Sequence, residues 1–299
     1  MRIAVLDDYP GVFPKTAAFA RLAGHDVTVF RDTERDPEKL AARLRDADAV
    51  LLTQQRSRFP RAVIEKLPKL RFIAQTGGHT AHIDVAACAE RGIAVLPAGK
   101  GTPNATAELT WALILASVRH VPFEVRALKE GAWQSTVGTG LRGKTLGVYG
   151  LGRIGGLVAE VGRAFGMNVI ALGRQNAGER EAFFATADVL SLHVALNEAT
   201  RGIVTEEDLA RMKPTSLLVN TSRAALIAPG ALVAALEKGR PGFAAVDVYE
   251  DEPVLGAEHP LLHVRNALCT PHLGYAEMDT YEAYYGAAVD ALLRAVTAE

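Results

Sequence analysis

Short apolar runs rich in Val, Ile and Leu alternate with stretches of helical period along most of the chain. RIAVLDD opens the sequence, and DVTVF (26–30), AVLLT (49–53), RFIAQTG (71–77) and IAVLP (93–97) follow. Between them lie amphipathic segments such as PEKLAARLRDA and PRAVIEKLPKL. Continuous apolar strands separated by helices predict a parallel sheet covered on both faces. The charged run RDTERDPEK (31–39) between two such elements reads as a solvated loop and helix start. Residues 103–130 break the alternation and predict one long helix, with Pro103 in its first turn, Gly131 at its end and a kink at Pro122.

A second alternating series begins at KTLGVYG (144–150). Its strands are NVIAL (168–172), VLSLH (189–193), SLLVN (216–220), FAAVDV (243–248) and ALCT (267–270), with helices at about 153–165, 206–212 and 229–238. The last segment, EMDTYEAYYGAAVDALLRAV, is again helical and has no sheet of its own. Long helices bracketing the second series predict an inserted domain: residues 1–98 with 275–299 form one domain and 99–274 the other. A cleft between the two is then the expected active site. At 299 residues, two domains is also the ordinary expectation from length.

Composition narrows the function classes. The chain is 49% hydrophobic and 22% charged with net charge -1, so no basic excess points to nucleic acid or anionic lipid. No apolar run reaches the roughly 18 residues of a membrane span, and the opening MRIAVLDDYPG reads as a buried strand rather than a signal peptide. A cytoplasmic protein with no membrane or nucleic-acid partner is expected. Cys88 and Cys269 lack any ligand spacing and read as free thiols, and no cluster predicts a metal.

The sharpest local motif is VYGLGRIGG, with Gly150, Gly152 and Gly155 in Gly-x-Gly-x-x-Gly spacing and Arg153 and Ile154 opening a helix. It follows a strand and begins a helix, the context a dinucleotide site needs. Gly150 permits the turn, Gly152 admits a pyrophosphate, and Gly155 lets helix and strand pack closely. The helix N-terminus adds free N–H groups and a positive dipole end. After the next strand comes Gly173-Arg174-Gln175, where an NAD-selective enzyme usually has an acid for the ribose hydroxyls. Arg174 fits a 2′-phosphate instead, which favours NADP over NAD. A surface arginine beside bound NAD is the other reading.

Three further segments place polar residues just after apolar strands: VNTSRAALI, VDVYEDEPV and CTPHLGYAE. An arginine, an acid and a histidine at strand ends suit reduction of a keto acid. Arginine grips a carboxylate with two prongs, and histidine gives a proton to the keto oxygen as hydride arrives at carbon. A neighbouring carboxylate favours the protonated imidazole.

With these motifs in order, the chain resembles the D-isomer-specific 2-hydroxyacid dehydrogenases, from the TGG segment through AELTWALIL, LRGKTLGVYGLGRIG, SLHVALNEATRGIV, VNTSR and VDVYEDEP to TPHLG. The resemblance implies an α/β fold of two doubly wound parallel sheets, a flavodoxin-like substrate domain and an inserted Rossmann cofactor domain. It implies catalytic Arg223, Glu252 and His272, with Asp247 near the nicotinamide carboxamide and Thr221 and Thr106 lining the cofactor. Gly77 and Gly78 match a loop whose amides hold the substrate carboxylate. His193 falls either near the cofactor or in an ordinary strand-end role, and His79, His82 and His120 read as ordinary polar residues. Ala195, Asn197 and Ala224 depart from the family's usual residues, and the 174–188 segment is short for it, which opens the adenosine edge. Arg56 and Ser57 resemble a substrate-facing position of phosphoglycerate-type members; a solvated Arg-Ser-Arg loop is the competing reading. A homodimer built on the 103–130 region is expected. So is a D-2-hydroxy acid as product, the alternative being a cofactor-sensing corepressor-like protein of the same fold.

Overall fold

The computed structural model describes residues 1–298, and they divide into two compact units, Met1–Thr102 with the segment from Tyr275 onward, and Pro103–Gly274. The first unit holds a five-stranded parallel sheet. Its strands are β1 (Arg2–Leu6), β2 (Asp26–Val29), β3 (Ala49–Leu52), β4 (Phe72–Thr76) and β5 (Ala94–Ala98), in spatial order β2-β1-β3-β4-β5. That order is the flavodoxin-like one. Helices α1 (Ala17–Ala20), α2 (Pro37–Leu44), α3 (Arg61–Ile64) and α4 (Val85–Glu90) connect the strands. β1, β3 and β4 are almost wholly buried because apolar clusters cover both faces of the sheet.

The second unit begins with α5 (Pro103–Val118) and α6 (Val121–Lys129). The 103–130 region is therefore two helices, broken at His120, which takes a left-handed φ of 52°. Pro122 sits in the first turn of α6, where its missing N–H leaves no bond unmade, so the break precedes the proline. A six-stranded parallel sheet follows: β6 (Thr145–Tyr149), β7 (Asn168–Leu172), β8 (Val189–Leu192), β9 (Leu217–Asn220), β10 (Phe243–Val246) and β11 (Ala267–Cys269). The spatial order is β11-β10-β9-β8-β6-β7. The chain reverses direction across the sheet between β7 and β8, so β6 and β8 flank the switch point where doubly wound sheets open for ligands. Helices α7 (Arg153–Ala164), α8 (Arg180–Thr186), α9 (Glu206–Arg211) and α10 (Ala231–Glu237) complete this unit, and α11 (Met278–Thr297) returns the chain to the first.

Helix α8 was not expected from periodicity. Its segment is held by Arg180, whose guanidinium donates to Asp208 at 2.8 Å, to the Tyr149 hydroxyl at 3.0 Å and to the Ile203 carbonyl. Asp208 in turn closes the capping box of α9 with Thr205. The Asp208 side chain is only 5% exposed. Arg180→Met keeps the stem beside Tyr149 and Phe184 but strands a buried carboxylate, which costs about 3 kcal/mol. A thermal melt should fall by about 6–12 °C. A change within about 2 °C would mean that water replaces the guanidinium.

Candidate active site

The glycine turn follows β6 at the switch point. Gly150 has a φ of 95°, and a Cβ there would lie 2.9 Å from the His193 backbone beyond β8. A Cβ on Gly155 would lie 2.2 Å from the Gly150 carbonyl oxygen. Both positions exclude side chains through contacts inside the protein. Gly152 differs: a Cβ there meets nothing within 4 Å, and the residue is the N-cap of α7 with no side-chain cap. The space over Gly152 and the uncapped N–H groups of Arg153 and Ile154 suit the pyrophosphate of a dinucleotide, so the residues present fit that group. Arg153 is exposed, and Ile154 packs partly on the core.

Beyond β7, Arg174 starts a short 3-10 turn (Arg174–Glu179) and is exposed. Asn176 shapes that turn, accepting from the Gly173 N–H at 2.8 Å and donating to the Ala171 carbonyl at 2.7 Å. His193 is buried. Its Nε2 meets the Ser191 hydroxyl at 2.8 Å, its Nδ1 has no partner, and burial pushes its pKa down to about 4, so the ring is neutral.

β9, β10 and β11 are consecutive in the sheet, and each delivers one member of the predicted catalytic set past its C-terminal end. After β9, Asn220 ties the loop by donating to the Arg223 carbonyl at 2.9 Å and accepting from the Ser222 N–H at 3.1 Å. Arg223 itself is extended and exposed, with one guanidinium bond to the Ser222 carbonyl at 2.7 Å. After β10, Glu252 accepts from the Tyr249 N–H at 2.9 Å through Oε1, leaving Oε2 for the Nδ1 of His272 at 2.6 Å. Both side chains of this pair are mostly buried, at 13% and 20% exposure.

Asp247, fully buried at the end of β10, organises the loop that carries the histidine. Its carboxylate accepts from the Thr270 hydroxyl at 2.6 Å, the Leu273 N–H at 2.7 Å and the Gly274 N–H at 2.9 Å. Burial nevertheless holds its pKa above the ordinary carboxylate value. Between these donors His272 takes a left-handed φ of 53°, a conformation that only a well-determined loop sustains. Thr106 donates its hydroxyl to the Gly274 carbonyl at 2.9 Å, and Thr221 pairs with Thr110 at 2.8 Å. Asp247 and the two threonines thus brace the site from inside. The residue type alone did not reveal this bracing, although the DV-x(n)-TPHLG spacing carries it.

The family comparison decides the identity: the model for the D-isomer specific 2-hydroxyacid dehydrogenase NAD binding domain matches residues 111–274. The chain belongs to the D-isomer-specific 2-hydroxyacid dehydrogenases. It is an NAD(P)-dependent enzyme of that family. This dehydrogenase is 38% identical to a glyoxylate reductase of Aeropyrum pernix over 86% of its own length and 82% of the relative's. It is also 38% identical to a D-3-phosphoglycerate dehydrogenase of Methanocaldococcus jannaschii over 82% of its own length but only 49% of that protein. A solved phosphoglycerate oxidoreductase from Vibrio cholerae superposes with a TM-score of 0.94 at 46% identity, covering all of both chains.

In the dehydrogenase's first unit, Gly77 and Gly78 follow β4. Gly77 has a φ of 84° and spends its N–H on the Ala98 carbonyl at 2.6 Å, so that amide is not free for a ligand. Gly78 is exposed, and a Cβ there would meet nothing within 4 Å. Arg56 and Ser57 are buried, at 8% and 3% exposure, and only Arg58 of the Arg-Ser-Arg run faces solvent. The solvated-loop reading of these residues is therefore incorrect: the turn after β3 folds them inward against Asp7, where burial is supported by charge pairing. His82, read from the sequence as an ordinary polar residue, is half-buried. Its Nε2 meets the Gln75 side chain at 3.0 Å, and burial pushes its pKa down to about 4. Among the described residues no helix is long and apolar enough to cross a membrane, and no group of three His, Cys, Asp or Glu stands together as for a metal ion.

Proposed function

We propose that this dehydrogenase reduces small 2-keto acids to D-2-hydroxy acids, with His272 as the acid and base, Glu252 as its partner and Arg223 as the substrate anchor. The 2.6 Å contact between His272 Nδ1 and Glu252 carries the reading. A carboxylate on Nδ1 fixes that nitrogen as the proton-bearing one toward Glu252 and turns Nε2 to the substrate. In reduction, the Nε2–H proton goes to the keto oxygen, and the imidazole returns to neutrality. In oxidation, Nε2 takes the hydroxyl proton back. A dinucleotide held by its pyrophosphate at Gly152 and the N-terminus of α7 would supply or accept, through its nicotinamide, the hydride at the substrate's second carbon. Arg223, exposed and without a carboxylate partner among the described residues, keeps N–H groups free for the substrate's carboxylate and keto oxygen.

Arg174 favours NADP over NAD through a charge pair with the 2′-phosphate. The exposed apolar face formed by Val121, Val125, Leu128 and Trp133 is the surface for a second copy of the chain. The test is cofactor consumption by the purified protein with NADPH, then NADH, and a panel of 2-keto acids. Turnover that prefers NADPH, with Arg174→Ala cutting that preference about tenfold, or ~1.4 kcal/mol, is expected. Bound cofactor without turnover of any acid would reject the reaction, and a preference for NADH untouched by Arg174→Ala would reject the role of that residue.

A further inference from the structure

Glu252 and His272 stand on separate loops of the second unit, one after β10 and one after β11, and a single residue joins the two loops. Tyr249 lies three residues past β10 and is 8% exposed. Its backbone N–H donates to Glu252 Oε1 at 2.9 Å. Its hydroxyl crosses to the other loop and donates to the Thr270 carbonyl at 2.9 Å. The same carbonyl accepts from the His272 N–H at 3.0 Å. Tyr249 thus grips Glu252 with its backbone and the turn of His272 with its side chain. Burial pushes the phenol pKa well above its ordinary value, so the hydroxyl remains a donor throughout the neutral range.

The ring is itself held from outside. His259 packs edge-to-face against it, with ring centroids 4.9 Å apart. The His259 Nδ1 accepts from the Leu261 N–H at 3.3 Å, which leaves the proton on Nε2 for Glu250 at 2.8 Å. Glu250 and His259 therefore close the loop that runs from Tyr249 past Glu252, and the ring has little freedom to turn. His272 sets the need for this bracing, because its φ of 53° is a conformation the loop must enforce. Asp247 holds the far side of that turn through the Leu273 and Gly274 N–H groups. The Tyr249 hydroxyl holds the near side, and a Thr270 carbonyl released from it would carry the imidazole with it. A catalytic group misplaced by about 1 Å can lose about 10²-fold in rate.

We propose that Tyr249 is a positioning residue for proton transfer: its hydroxyl, acting through the Thr270 carbonyl, aligns the His272 imidazole on Glu252. This inference rests on the reductase reading above.

The test is Tyr249→Phe, which keeps the ring, its contact with His259 and the N–H to Glu252, and removes only the hydroxyl. With the best 2-keto acid of the panel above, kcat should fall about tenfold while KM for the acid stays within about twofold. The number of cofactor sites and their Kd, titrated by fluorescence, should be unchanged, so that the loss is not one of folded protein. In a His272→Asn background the same substitution should lower the residual rate by less than about twofold, because a brace has no effect on an imidazole that is absent. A Tyr249→Phe enzyme with kcat within about twofold of the parent overturns the proposal even if its melting temperature falls, since the hydroxyl then serves stability alone. A further tenfold loss in the His272→Asn background overturns it too, because the hydroxyl would then act on something other than His272. No turnover of any 2-keto acid by the parent overturns the reductase reading first and the role of Tyr249 with it.

Discussion

His272→Asn is expected to lower kcat for keto-acid reduction by about 10²–10⁴-fold, the usual weight of a positioned acid or base. Asparagine is the suitable replacement because it tolerates the left-handed backbone of this position, where alanine would add strain. The loss should fall on kcat, with KM for the acid within a few-fold, since the carboxylate anchor assigned to Arg223 is untouched. Glu252→Gln keeps the size of the partner but removes its charge and its obligatory acceptor role toward Nδ1. It should cost about tenfold or more while leaving cofactor affinity in place. Steady-state kinetics with cofactor titration by fluorescence separates these effects. A His272→Asn enzyme within threefold of the parent in kcat would remove histidine from the chemistry.

The second large effect concerns two glycines three residues apart. Gly152→Ala adds a methyl that meets no protein atom within 4 Å, at a φ of -92° that alanine accepts. The melting temperature of the cofactor-free protein should stay within about 1 °C, as for a surface change. The dinucleotide should bind at least about tenfold more weakly, ~1.4 kcal/mol, because the methyl occupies the space where phosphate would meet backbone. Gly155→Ala drives its methyl to 2.2 Å from the Gly150 carbonyl oxygen. Overpacking of about 1–3 kcal/mol should lower the melting temperature by about 3–10 °C, whether or not cofactor is present. Equal losses of stability in both variants would mean that Gly152 is held by packing rather than by a ligand.

The strands were legible because both sheets bury runs of Val, Ile and Leu on two faces, so β3, β8 and β9 stand out without periodicity. The glycine turn and the residues after β9, β10 and β11 were legible because strand, turn and motif fall together. Helix α8 was not, since its seven residues carry too little period and its anchor, Asp208, lies in a different element. The break at His120 was displaced from the proline because proline marks where a helix can begin as well as where it cannot continue. The inward fold of Arg56, the capture of the Gly77 amide by Ala98 and the contact of His82 with Gln75 all depend on pairings that no local window contains.

The division of the chain has a consequence for biosynthesis. Tyr281, Tyr285, Val289 and Leu292 of α11 belong to the same apolar cluster as Ile3, Val5, Leu51 and Phe72, near the other terminus. During translation, the contiguous unit Pro103–Gly274 has all its strands once residue 274 clears the ribosome. The earlier-made sheet keeps part of one face, the part not covered by Phe13, Ala18 and Leu22, open until α11 emerges. The earlier-made unit is thus the later of the two to complete its core, and until then it carries exposed apolar surface of the kind that favours aggregation.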